Sequence, residues 1–128
     1  MINIATAVAE AVEAVRVHFA GHPVEAVPDG TGGAFVTIEQ VPIGASYSPS
    51  VTWLGFQISA AYPDADVYPH YTGPVVRNDG QPHGPAIQAV PWRDRQALQI
   101  SRRSPRRDPA VDSAALKAER IRRWLADQ

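Results

Sequence analysis

The chain has 128 residues, 45% hydrophobic and 20% charged, with net charge −1, twelve prolines and no cysteine. That length suits one domain, and without cysteine it excludes a disulfide scaffold, a thiolate zinc site, an iron–sulfur cluster, a cysteine nucleophile and thioester chemistry. No apolar run approaches the ~20 residues that span a bilayer and no basic-then-apolar leader opens the chain, so a soluble cytoplasmic protein with no membrane partner is expected.

Ile4, Val8, Val12, Val15 and Phe19 recur at spacings of four and three, which predicts a helix over residues 2–20. Asn3 or Thr6 is placed to cap its start, and Gly21 with Pro23 to stop it. His18 and His22 share the four-residue spacing of a helical metal pair. Gly21 and Pro23 break that helix, however, and no glutamate completes the set, so a surface pair is the preferred reading.

From residue 24 the period changes to two. Short extended runs over 24–27, 35–41 and 51–59 predict an antiparallel three-stranded meander. Leu54, Phe56 and Ile58 point one way, and Trp53, Gly55 and Gln57 the other. The Pro28-Asp29-Gly30 and Gly30-Thr31-Gly32-Gly33 stretch reads as a hairpin turn. It lacks the lysine and following helix of a phosphate loop, and no cofactor or metal is expected.

Residues 62–91 are rich in proline and carry Tyr62, Val67, Tyr68, Tyr71, Val75, Val76, Ile87 and Val90. Proline fixes φ and removes donors, so this stretch reads as an ordered flap with a short edge strand over 67–71 and a turn at Asn78-Asp79-Gly80. Residues 96–101 read as extended. A last helix is expected from Asp112 as N-cap, with Val111 and Leu116 as a hydrophobic staple and Ala114, Ala118, Ile121 and Leu125 as its buried stripe. The expected fold is α+β: an N-terminal helix, an antiparallel meander of three to four strands, a proline-rich flap and a C-terminal helix, in a single domain over 1–128.

Trp53-Leu54-Gly55-Phe56-Gln57-Ile58, then Ala61-Tyr62-Pro63-Asp64-Ala65 and Val67-Tyr68-Pro69, resembles the ubiquitin-conjugating-enzyme (UBC) and RWD superfamily. There a strand runs into a Tyr-Pro element and prolines pin a flap beside the sheet. With Leu98-Gln99-Ile100-Ser101-Arg102-Arg103 ahead of a closing helix, the chain looks like the bacterial UBC-like families. The resemblance covers about residues 1–125 and implies a protein partner, either a ubiquitin-like protein or its activating enzyme. It also implies a cysteine downstream of the flap and a His-Pro-Asn element. Here Asn78 and His83 stand in another arrangement and no cysteine exists, so the expectation is a non-catalytic relative.

Three further constellations stand beside that reading. Asp64 and Asp66 with His70 and His83 offer carboxylates and imidazoles for acid–base work, His83 being the weak catalytic candidate of a cysteine-independent enzyme. Aspartates beside prolines more often close turns. The charge is also uneven: residues 1–76 hold one base and seven acids, and residues 77–128 eleven bases and six acids. The densest run contains Arg102, Arg103, Arg106 and Arg107, whose guanidiniums suit carboxylates and phosphates. Trp92 is the one aromatic near it, so an arginine-rich nucleic-acid module is disfavoured against an acidic protein surface, and a solvated or internally paired run stands beside both as the plain reading. The flap residues Tyr62, Pro63 and Tyr68, with Trp92 and these arginines, are the expected binding residues. Trp53, Trp92 and Trp124 are also expected as core or rim anchors.

Overall fold

The computed structural model describes residues 4–104, 107–109 and 112–128. Helix α1 (Thr6–His18) buries Val8, Val12 and Val15, with Phe19 packed at its end. The helix is shorter than its period suggested. Ile4 bridges to Gly32 instead of entering the first turn, and Ala5 donates its N–H to Gly32 O at 2.8 Å. Ala5 is the N-cap and gives no side-chain cap, while Asn3 lies outside the described residues.

Strands β1 (Val24–Pro28), β2 (Ala34–Pro42), β3 (Tyr47–Ser48), β4 (Val51–Ile58), β5 (His70–Thr72), β6 (Val76–Arg77), β7 (Ile87–Ala89) and β8 (Leu98–Ile100) precede helix α2 (Ala114–Ala126). Six of them form one antiparallel sheet in the order β1-β2-β4-β5-β8-β7, and β3 pairs with β6 separately. The α+β class and the β1-β2-β4 meander stand as expected. The sheet is wider than the three to four strands foreseen, because the β7–β8 hairpin extends it through β5. The expected edge strand is accordingly an inner one, β5, lying between β4 and β8. Pro69 and Pro74 bracket it without entering the ladder, so its N–H groups remain free to pair.

Register decides what each face carries. Ala26, Val36, Phe56, His70, Ile100 and Ile87 stand opposite one another in turn across all six strands. Neighbours in register share a face, so this row belongs to the core that α1 and α2 cover. On the other face Thr37, Gly55, Tyr71, Gln99 and Gln88 form the matching row.

On that second face the loop between β7 and β8 folds back over the sheet. Trp92 and Arg95 exchange backbone hydrogen bonds of 2.9 and 3.0 Å, with Arg93 (φ 47°) and Asp94 (φ 69°) in the left-handed region of the tight turn between them. The turn sets the Trp92 ring in a slot above Gly55, stacked on Trp53 and Tyr71 with ring centroids 5.7 and 5.0 Å away. A Cβ at Gly55 would run into Cζ3 of Trp92 and lie 2.6 Å from its Cη2, so this position admits only glycine while the ring is in place. Gly55→Val is expected to expel the indole and cost about 2–3 kcal/mol, the worth of burying a large ring. Loss of the coupled-indole signal in near-ultraviolet circular dichroism, with a lower urea midpoint, would show it; an unchanged spectrum would contradict it.

Helix α2 starts from Ser113, whose hydroxyl accepts from Leu116 N at 3.2 Å. The expected cap, Asp112, is instead engaged by Asp108 N and Arg120. Val111 of the foreseen staple lies outside the described residues. The stripe of Ala114, Ala118, Ile121 and Leu125 is buried as expected. No helix among the described residues is long and apolar enough to cross a membrane.

Candidate functional site

Three pieces of chain converge at the start of α2: the Tyr-Pro flap, the arginine segment and the helix itself. Tyr62 packs against the core and its hydroxyl oxygen accepts from Ala114 N at 3.2 Å, serving an N–H of the first helical turn that has no partner inside the helix. Arg107 Nη1 donates to Asp64 O at 3.1 Å. Pro63 is half-buried between these anchors, and the Tyr62-Pro63 and Tyr68-Pro69 peptide bonds are cis.

Asp66 is the hub of this junction. Its carboxylate accepts from Ser104 N (2.9 Å), Ser104 Oγ (3.2 Å) and Lys117 Nζ (3.0 Å), and Arg107 Nε lies 3.4 Å away. Lys117 also donates to Ser104 Oγ at 2.7 Å. Burial would raise the Asp66 carboxyl, but the Ser104 and Lys117 bonds outweigh it and hold the group below the ordinary carboxylate value. Burial pulls the Lys117 ammonium below its ordinary value against the opposing attraction of Asp66. Lys117 is 5% exposed, and its burial was written in the chain: it stands three residues after Ala114 and four before Ile121, on the helix's apolar stripe.

Outside this hub the arginines behave differently. Arg102 lies over the Trp124 ring at 4.6 Å and Arg103 over the Tyr68 ring at 4.1 Å. Both are exposed, and among the described residues neither has a carboxylate within ion-pair distance. They line a pocket of about 110 Å³ with Ser104, Lys117, Arg120, Ile121 and Trp124. Tyr68, Arg102 and Arg103 are thus brought together on the surface, whereas Tyr62 and Arg107 tie the junction from within. Arg106 lies outside the described residues.

The remaining candidates have other surroundings. Trp92 is 8% exposed, with its ring engaged by Trp53, Tyr71 and Phe35. His83 donates from Nε2 to Val75 O at 2.9 Å and stacks on Tyr47, a partner set that shares nothing with Asp66. Asp64 is exposed and accepts from Arg107 through its backbone carbonyl. His70 lies in the central row of the sheet, fully buried, with its ring 5.1 Å from that of Phe56. His18 donates to Glu119 Oε1 at 3.1 Å, joining α1 to α2, and His22 meets Phe19 edge-on. Among the described residues no group of three or more metal-ligating side chains comes together. The chemistry this arrangement offers is recognition of negative charge by stacked guanidiniums. Comparison with protein-family models, curated proteins and solved structures finds no match to the chain.

Proposed function

We propose that this chain is a non-catalytic protein-interaction domain that binds an acidic surface through Arg102, Arg103 and Tyr68. One observation carries the reading. Most cations of the junction have carboxylate partners inside the molecule, while Arg102 and Arg103 have none among the described residues and are held in place by ring stacking. A cation that is positioned but uncompensated gives an interface charge selectivity and rapid association. Stacking on Trp124 and Tyr68 also lowers the entropy lost when a partner arrives.

The partner class comes from the sequence resemblance: a ubiquitin-like protein or its activating enzyme, in a bacterial modification pathway. The missing cysteine agrees with a binding role in such a pathway and not with thioester transfer. Calorimetry with a bacterial ubiquitin-like protein and its activating enzyme tests the proposal. Binding that weakens as salt rises, and falls at least tenfold in the double variant Arg102→Glu/Arg103→Glu, is expected. Absence of binding to both proteins, or binding indifferent to the double variant, overturns it.

A further inference from the structure

We infer that the pocket between residues 102–104 and α2 is a binding site for a phosphate monoester dianion. The inference rests on reading this patch as a binding surface, and it names what the pocket itself takes.

Charge accounting selects the ligand class. Among the described residues four cationic side chains line the pocket and no acidic one does. Lys117 is matched by Asp66 at 3.0 Å and Arg120 by Asp112 at 2.8 Å. Among the described residues Arg102 and Arg103 stay unmatched, leaving two positive charges on the pocket wall, while Arg107, which shares Asp66 with Lys117, does not line it. A phosphate monoester carries close to two negative charges at neutral pH, whereas a carboxylate carries one and would leave a guanidinium uncompensated. Guanidinium forks also fit phosphate oxygens in pairs.

Geometry supports the same class. The guanidinium carbons of Arg102 and Arg103 lie over the Trp124 and Tyr68 rings, and among the described residues none of their N–H groups makes a hydrogen bond, so these donors are open to a ligand. Lys117 forms part of the pocket wall with only 6% of its side chain exposed, and it commits two of its three ammonium hydrogens, to Asp66 and Ser104. The third is a donor in low-dielectric surroundings, where a charge-assisted bond is strong. Ser104 Oγ gives its own proton to Asp66 and accepts from Lys117, so it fixes the ammonium and leaves the ligand to the cations. Ile121 and Trp124 supply an apolar wall for the organic part of an ester.

The test titrates the isotopically labelled full chain with phenyl phosphate, and with benzoate as monoanionic control, at constant ionic strength. Saturable amide shifts at residues 102–104 and in α2 are expected, with phenyl phosphate at least tenfold tighter than benzoate. Affinity should fall at least tenfold in Arg102→Gln/Arg103→Gln, and should decline as pH drops through the second phosphate ionisation near 6. A phosphoserine peptide and adenosine monophosphate serve as further arms. Tighter binding of the first assigns a phosphorylated protein segment, tighter binding of the second a small-molecule ester, and equal binding the monoester group alone. Equal affinity for benzoate, shifts elsewhere on the surface, or no saturation overturns the inference. If phosphate binding is absent while the protein partner still binds, only this inference falls; the reverse result removes only the protein-interaction reading.

Discussion

Asp66→Ala is expected to destabilise the fold by about 3 kcal/mol, and Asp66→Ala/Lys117→Met by clearly less than that. Removing one member of a buried ion pair leaves the other charged and desolvated, which costs about 3–5 kcal/mol. The low end applies because 17% of the Asp66 side chain still meets solvent, against 6% for Lys117. The substitution also strips acceptors from Ser104 N and Ser104 Oγ, and from the Arg107 guanidinium nearby, so the arginine segment is left with the Arg107 Nη1 bond to Asp64 O as its hydrogen bond to the flap. Methionine at 117 removes the stranded charge while keeping the length of the side chain on the apolar stripe. Urea midpoints of the two single variants and the double variant form the cycle. A double variant as unstable as Asp66→Ala alone would mean that the stranded ammonium is not the source of the cost. The pair also has a pH signature. The Asp66 carboxyl is held low in the folded state, so its contribution is complete above the ordinary carboxylate value and is lost as pH falls below it.

The legibility of this molecule follows from which contacts are local. The meander needs only alternation and short connections, and Leu54, Phe56 and Ile58 declare their face by period alone. The stripe of α2 is equally local. What escaped were pairings between distant segments. Residues 70–72 are too few to show a period, and the prolines around them mask a strand whose partners are 54–56 on one side and 98–100 on the other. The junction hub joins residues 66, 104 and 117, separated by up to 51 positions. Proximity in sequence grouped Asp66 with Asp64 and with histidines, whereas the fold gives it to Lys117. One clue was available: a lysine on an apolar helical stripe needs a buried acceptor. The arginine run showed that charge is concentrated there, but only the structure separates Arg107, which serves the junction, from Arg102 and Arg103, which face outward. The slot over Gly55 had a faint signal, a glycine inside a strand pattern, which often marks a close approach.

His70 is expected to make the fold acid-sensitive well before its carboxylates titrate. Its ring is fully buried in the central row of the sheet, and neither ring nitrogen has a hydrogen-bond partner among the described residues. Burial, reinforced by the nearby Lys117 charge and only partly opposed by Asp66, pushes its pKa from 6.5 down to about 3. The unfolded chain therefore takes up a proton below pH 6.5 that the folded chain refuses until about pH 3. Stability is full above that window and declines through it by about 1.4 kcal/mol per pH unit, so roughly 2–3 kcal/mol are gone by about pH 4.5. The lowered carboxyls of Asp66 and Glu119 act in the same direction but at lower pH, below their ordinary values of 3.8 and 4.5. The slope between about pH 6 and 4.5 therefore belongs to the imidazole. His70→Leu, placed between Phe56 and Ile100, should flatten that slope. It should also raise stability at pH 7 by about 1–3 kcal/mol, because it removes a buried polar group that has no partner. Denaturant midpoints of both proteins between pH 4.5 and 7.5 check both effects. A variant that keeps the original slope, or is weaker at pH 7, would mean that the imidazole has a polar partner in solution. In that case the histidine would hold the sheet to the junction beneath α2, where Lys117 and Asp66 are the charged groups that act on it.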